Sequence, residues 1–209
     1  MSEHYFTDRP AAAHRPRIVR FRMDGRNYAL RSDAGVFSAD RLDPGTTVLL
    51  REAPAPVGDT LLDLGCGYGP LTCVLADRAP SATVWAVDTN ARARDLTARN
   101  AAERAIAGRV RVCTPDEVPA DLRLDEIWSN PPIRIGKPAV HLLLRQWLPR
   151  LVPAGQAWLV VARNLGADSL QRWLVAEGWE CRRHASSKGY RVLRVQRPGG
   201  PRPEGVLTG

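Results

Sequence analysis

Apolar and polar residues alternate from Arg17 to Met23, pause at Asp24-Gly25, and alternate again from Asn27 to Leu30. A period of two is the mark of a strand, and Asp-Gly between two such runs predicts a hairpin turn. A loop over Ala34–Ser38 and a turn at Asp43-Pro44-Gly45 then lead into a short apolar helix, Thr46–Glu52. The Pro-rich stretch Ala53–Gly58 reads as a linker.

From Asp59 onward the pattern changes to short apolar runs separated by helical periodicity. Strands are predicted at Thr60–Leu64, Thr83–Val87, Arg109–Cys113, Leu124–Ser129 and Gln156–Ala162. Helices are predicted at Pro70–Arg78, Ala91–Arg104, Pro138–Arg150 and Asp168–Glu177. Trp179–Arg183 and Arg191–Gln196 form a final strand pair joined through Ser186 to Tyr190. Repeated strand–helix units predict an α/β fold, a parallel sheet with helices on both faces. The last two strands lack a crossover helix, so the final one is expected to run antiparallel. The Pro/Gly-rich tail, Arg197–Gly209, is expected to be disordered.

At 209 residues the chain suits one domain with a short appendage. The reading divides it into residues 1–56 (hairpin extension and short helix), 57–197 (the α/β domain) and 198–209 (tail). No apolar run approaches the ~20 residues of a membrane span, and the N-terminus lacks the apolar core of a secretory signal. A cytoplasmic protein without membrane contact is expected. The four cysteines form no CxxC pair and no Cys/His spacing suits zinc, so no metal is expected. Net charge is +8, which permits a nucleic-acid partner. Lys137 and Lys188 are the only lysines; the rest of the basic count is arginine, a bias that GC-rich coding also produces.

In open α/β sheets ligands bind at the carboxyl ends of the strands, so the residues there carry the functional reading. The first strand of the domain ends in Asp63-Leu64-Gly65-Cys66-Gly67-Tyr68-Gly69. Alternate glycines let the backbone turn sharply and let a ligand approach where a Cβ would collide. An acid at Asp63 would oppose a pyrophosphate but suits a cationic amino group, which points from dinucleotides toward S-adenosylmethionine. Gly65, Cys66, Gly67 and Gly69 are counted with Asp63 as cofactor-binding. Asp88, ending the next strand, is placed to accept from ribose hydroxyls, with Asn90 capping the helix that follows. Asp116, after the third strand, is read either as an acceptor for an adenine amine or as an exposed turn acid.

The fourth strand ends in Ser129-Asn130-Pro131-Pro132-Ile133. An exocyclic amine conjugated to a ring is a poor nucleophile because its lone pair is delocalised. The Asn130 oxygen and a prolyl carbonyl can accept both of its N–H bonds and aim the lone pair at a methyl sulfonium. Prolines keep that loop stiff and short of donors. Asn130, Pro131 and Pro132 are therefore the candidate catalytic group, acting by positioning and charge stabilisation.

These motifs resemble those of class I S-adenosylmethionine-dependent methyltransferases, and more narrowly the small-domain group that contains bacterial 16S rRNA guanine-N2 methyltransferases. The likeness extends through His4-Tyr5-Phe6, Asp33–Ser38, Asp43-Pro44-Gly45-Thr46, Gly136-Lys137 and Lys188–Val192. It implies a Rossmann-like, mostly parallel seven-stranded sheet with an antiparallel last strand, and an N-methyltransferase that uses S-adenosylmethionine. Its implied partner is RNA, as rRNA or the small ribosomal subunit, and its implied role is rRNA processing through methylation of guanine N2. Ile133 stands where many amino-methyltransferases carry an aromatic that stacks on the target base. The large enzymes of the group resemble two such domains in tandem, and this chain has one.

Ile133, Lys137 and Lys188 are the candidate substrate-binding residues. Phe37 either covers the cofactor or anchors its segment in the core. Arg92, Arg94, Arg99 and Arg104 form either a phosphate-binding or a solvated helix face, and His141 and His184 show no partner. Two other functions stay open: N-methylation of a protein amide or a small metabolite, and a non-catalytic cofactor- or RNA-binding protein.

Overall fold

The computed structural model describes residues 12–199. The His4-Tyr5-Phe6 motif and residues 200–209 of the tail lie outside them. The predicted hairpin is β1 (Arg17–Met23) and β2 (Arg26–Ser32), paired in antiparallel register with Met23 opposite Arg26. Asp24 and Gly25 turn it with φ angles of 51° and 74°, the left-handed pair that such a turn requires. Val19, Met23, Tyr28 and Leu30 point inward while Arg20 and Arg22 face solvent, so the alternation sorts one buried face from one wet face.

The seven-stranded sheet comprises β3 (Thr60–Leu64), β4 (Thr83–Val87), β5 (Val110–Cys113), β6 (Leu124–Ser129), β7 (Leu151–Ala162), β8 (Glu180–Ser187) and β9 (Tyr190–Gln196). Its spatial order is β5-β4-β3-β6-β7-β9-β8. Neighbours from β5 to β7 pair in parallel, whereas β9 lies antiparallel between β7 and β8. The antiparallel last strand is thus as the missing crossover helix predicted.

The helices are α1 (Pro44–Glu52), α2 (Pro70–Arg78), α3 (Ala91–Glu103), α4 (Lys137–Trp147) and α5 (Ala167–Ala176). Leu61 faces one side of β3, in a core shared with the hairpin, α1 and α2; Leu62 and Leu64 face the other, in a core shared with α4 and α5. Each face of the sheet is therefore covered, which explains why its central strands read as near-continuous apolar runs.

A buried carboxylate pins the start of β6. Glu126 accepts from Trp128 Nε1 at 2.7 Å and from Gln156 Nε2 at 2.5 Å, with Trp158 Nε1 at 3.5 Å. Burial raises its pKa against these bonds. Beside it, Asp125 Oδ2 accepts the backbone N–H groups of Asp59 and Thr60, both at 2.9 Å, and so docks the end of the linker onto β6.

Four expectations change. β7 begins at Leu151, because Pro153 and Gly155 read as a loop yet sit in the extended chain. The last hairpin turns on two residues only, Lys188 and Gly189 at φ 49° and 81°; Ser186, Ser187 and Tyr190 belong to strands. The arginines of α3 are mostly committed internally. Arg92 donates to the Ala12 and Ala34 carbonyls, Arg94 to those of Asp88 and Thr89, and Arg104 to Asp77. Only Arg99 of the four is exposed. The two histidines also have company: His141 stacks on Trp173 at 3.7 Å, and His184 meets the Glu52 carbonyl at 2.9 Å.

Candidate active site

The glycine loop after β3 lies between the ends of β4 and β6, at the carboxyl edge. Gly65 and Gly67 hold φ angles of 83° and 58°, and a Cβ on either would meet nothing within 4 Å. The backbone is thus exposed to open space on a path that L side chains rarely follow. Gly69, at φ 87°, ends the loop and starts α2, packed against Thr97. The Cys66 side chain turns inward, buried, with Thr97 Oγ1 at 3.6 Å from its sulfur. Burial raises its thiol pKa well above the ordinary value.

Asp63 is fully buried on β3, and its carboxylate accepts the Thr72 hydroxyl at 2.5 Å. Burial raises its pKa to about 7, with the nearby Asp88 charge adding to the shift and the Thr72 bonds opposing it. Asp88, ending β4, accepts the backbone N–H of Gly67 and of Asn90, each at 2.9 Å. Burial also raises its pKa, against those bonds and the Arg94 charge. Asn90 caps α3 through Arg92 N and Ala93 N, as its position after Asp88 predicted.

Asn130 follows β6, whose last residue, Ser129, donates its hydroxyl to the Leu64 carbonyl at 2.7 Å. That bond joins the mouth of the glycine loop to the Asn130 corner. The Asn130 amide nitrogen donates to Asp43 Oδ2 at 2.7 Å and to Thr46 Oγ1 at 3.1 Å. A carboxylate accepts only, so the amide must present its nitrogen to Asp43 and its oxygen away from it. Ile133 N donates to the Pro131 carbonyl at 2.8 Å across Pro132 (φ −74°, ψ 70°), which is an inverse γ-turn. Ile135 N donates to the Pro132 carbonyl at 3.1 Å. Each prolyl carbonyl keeps a second lone pair.

One cleft is lined by Phe37, Asp43, Thr46, Asp63, Gly65, Cys66, Gly67 and Asn130 among others. The structure so brings together the candidate residues of β3 and β6, with Asp88 joined to them through Gly67. Asp116 is exposed in the Pro115–Glu117 turn and lines no part of that cleft. Lys137 and Lys188 are exposed beyond it, and half-buried Ile133 packs against the α4 side of the core. Asp43 and Thr46 are the residues that sequence reasoning missed as site members. Their turn-and-helix pattern marks a helix start, which it is: Asp43 Oδ2 also accepts Thr46 N at 2.9 Å. Nothing local announces the bond to Asn130.

Acceptors at buried Asp63 and half-buried Asp88, flanking an open glycine backbone, suit a ligand with one ammonium and ribose hydroxyls. Those are the polar groups of S-adenosylmethionine. Fold and cleft together define a class I S-adenosylmethionine-dependent methyltransferase. The methyltransferase small domain matches residues 27–194, and the chain belongs to that family.

YbxB, an uncharacterized protein of Bacillus subtilis (strain 168), is 31% identical over 201 residues, covering 94% of this chain and 100% of that protein. The ribosomal RNA small subunit methyltransferase C of Hahella chejuensis is 37% identical over 137 residues, covering 63% of this chain and 39% of the relative. That of Pseudomonas aeruginosa (strain UCBPP-PA14) is 34% identical over 169 residues, covering 78% and 49%. The chain thus spans less than half the length of these two curated methyltransferases. Among solved structures, the T. thermophilus 16S rRNA N2 methyltransferase (RsmC), in complex with AdoMet and guanosine, superposes with a TM-score of 0.75 at 26% identity. The match covers 90% of this chain and 52% of that one.

Proposed function

We propose that this protein methylates an exocyclic amine of an RNA base, most specifically guanine N2 in 16S rRNA. The observation that carries the reading is the locked amide of Asn130, whose nitrogen is spent on Asp43 and Thr46. Its oxygen is left as an acceptor beside the glycine loop. Similarity to the T. thermophilus 16S rRNA N2 methyltransferase, solved with guanosine, supports guanine as the base, and similarity to two curated small-subunit rRNA methyltransferases supports rRNA. The loops at 130–137 and 163–166 and the turn at 188–189 support a polyanionic substrate: they carry Lys137, Arg163 and Lys188 and no acid.

Bound S-adenosylmethionine supplies a methyl group on a sulfonium, activated for transfer. Asp63 receives the ammonium of its amino-acid end, the backbone of Gly65, Cys66, Gly67 and Gly69 lines it, and Asp88 accepts from its ribose hydroxyls. Asp116, exposed in the turn after β5 and outside the cleft, is left as a turn acid. Asn130 Oδ1 and the free lone pair of the Pro131 carbonyl accept the two N–H bonds of the target amine. Pro132 holds that carbonyl in its γ-turn, and Ile133 packs beside the base. Lys137 and Lys188 meet flanking phosphates. The Asp43 carboxylate polarises the Asn130 amide, which strengthens its oxygen as an acceptor while positive charge grows on the substrate nitrogen. No strong base is needed before transfer.

The test is transfer of labelled methyl to naked 16S rRNA, assembled small subunits, protein and metabolite fractions. Label in RNA supports the reading; label only in protein or metabolites rejects it.

A further inference from the structure

We propose that the groove between the hairpin turn and the C-terminal ends of α1 and α2 binds the phosphodiester backbone of RNA, through Arg22, Arg51 and Arg78. This second contact rests on the RNA reading above and lies away from the cleft. The groove has a volume of about 780 Å³ and is lined by Arg22, Asp24 and Arg26 of the hairpin, Arg51 of α1, and Asp77 and Arg78 of α2, among others. Its charges do not cancel. Asp24 accepts from Arg78 Nε at 2.7 Å and Nη2 at 3.0 Å. Asp77 accepts from Tyr28 Oη at 2.9 Å and from Arg104, with Arg26 Nη1 at 3.7 Å. Both acids are thereby spent within the fold. Arg22 and Arg51 are exposed, and among the described residues neither has a side-chain hydrogen bond or an ion pair.

Arg78 lies at the meeting point of the three elements. Its Nη2 also donates to the Leu50 carbonyl at 2.6 Å, which fixes the guanidinium between the turn, α1 and α2. Its Nη1 is enclosed and has no partner. A buried donor without an acceptor is costly, and a guanidinium cannot shed its charge. The groove thus keeps a positive excess that no partner within the fold consumes. Arginine forks match phosphate oxygens, so a phosphate-bearing ligand fits that excess. Position favours nucleic acid over an acidic protein. α1 ties the groove to the catalytic corner: Asp43, at its start, binds Asn130, and Arg51 stands in its last turn. Nine residues at about 1.5 Å each separate the two ends by about 13 Å. A strand with a phosphate about every 3.4 Å crosses that distance in about four nucleotides. A base held at Asn130 therefore has chain neighbours within reach of the groove, whereas a nucleoside or small metabolite has none.

Filter binding of labelled 16S rRNA over a series of salt concentrations tests this. The proteins are wild type, Arg22→Gln/Arg51→Gln, and a control, Arg99→Gln/Arg183→Gln, that removes equal charge from exposed arginines outside the groove. The groove variant is expected to bind about tenfold more weakly at low salt. Its plot of log affinity against log salt should lose about 1.4–1.8 of slope, since each phosphate contact contributes about 0.7–0.9. The control stays close to wild type in both, and cofactor affinity and the unfolding midpoint are unchanged in both variants. A groove variant that matches wild type in affinity and slope, or a control that loses as much, overturns the proposal and leaves RNA as the substrate. Polyglutamate that displaces the rRNA as well as polyuridylate does also overturns it, and makes the groove a site for acidic protein. Wild type that binds no rRNA overturns the groove contact together with the RNA reading, which the methyl-transfer assay tests separately.

Discussion

The amide of Asn130 donates to the carboxylate of Asp43 across 2.7 Å, joining residues 87 apart in sequence. One oxygen of Asp43 thereby does two things, since it also caps α1 through Thr46 N at 2.9 Å. Asp43 is a positioning residue: it sets which way the Asn130 amide faces. Asp43→Ala should lose the cap, at about 0.5–2 kcal/mol of stability, and should lower kcat while leaving cofactor affinity near normal. Asp43→Asn can still cap the helix and still present an oxygen to Asn130, so it should recover most of both losses. Kinetics and unfolding of the two variants check this. An Asp43→Ala enzyme with wild-type kcat removes the positioning role.

Asp63 should make the ligand-free protein less stable as pH rises. Burial lifts its folded pKa from 3.8 to about 7, so between those values the folded state holds a proton that the unfolded chain has released. Stability from this group is present in full below the lower value and is lost as pH climbs through the upper one. Unfolding midpoints of wild type should fall relative to Asp63→Asn from about pH 4 to about pH 7. Parallel curves would show that Asp63 ionises normally. If an ammonium binds there, it favours the ionised form, and calorimetry near pH 6.5 in buffers of differing ionisation heat should register proton release on ligand binding.

Asp88 joins the cofactor side of the cleft to its own backbone. Its carboxylate takes the N–H groups of Gly67 and Asn90, so Asp88→Ala removes a ligand acceptor and slackens the glycine loop together. Cofactor affinity should weaken by about 1.5–3 kcal/mol, the range for hydrogen bonds to charged groups. Unchanged affinity by calorimetry would move the ribose contact elsewhere.

Glu126 offers a control at the opposite end of β6. Glu126→Ala strands the donors of Trp128 and Gln156 in a buried site. It should cost about 2–4 kcal/mol of stability, yet folded protein should bind cofactor as wild type does. A selective loss of binding would mean that this network reaches the cleft.

The legible parts of this fold are those with local causes. The Asp24-Gly25 turn, the strand over Leu124–Ser129 and the Asn90 cap each follow from the chemistry of a few adjacent residues, and each stands where the sequence placed it. The start of β7 was not legible, because Leu151 pairs with Leu124 while Pro153 and Gly155 fall in an irregular stretch before pairing resumes at Gln156; the polar end of β8 was not, because Ser187 is carried into the strand by its pairing with Tyr190. The cleft divides the same way. Asp63, Gly65, Gly67 and Asn130 announce themselves at strand ends, whereas Asp43 and Thr46 reach Asn130 only through tertiary packing. Phe37 left two readings open in the sequence; in the structure it lines the cleft.

On the proposed function, the Asn130 oxygen holds an RNA base amine during methyl transfer. The most direct test is nucleoside mass spectrometry of small-subunit rRNA after incubation with S-adenosylmethionine and either wild type or Asn130→Ala. N2-methylguanosine is expected with wild type and none with the variant, whose cofactor affinity stays near normal. Equal methylation by both proteins, or modified nucleosides from neither, would contradict it.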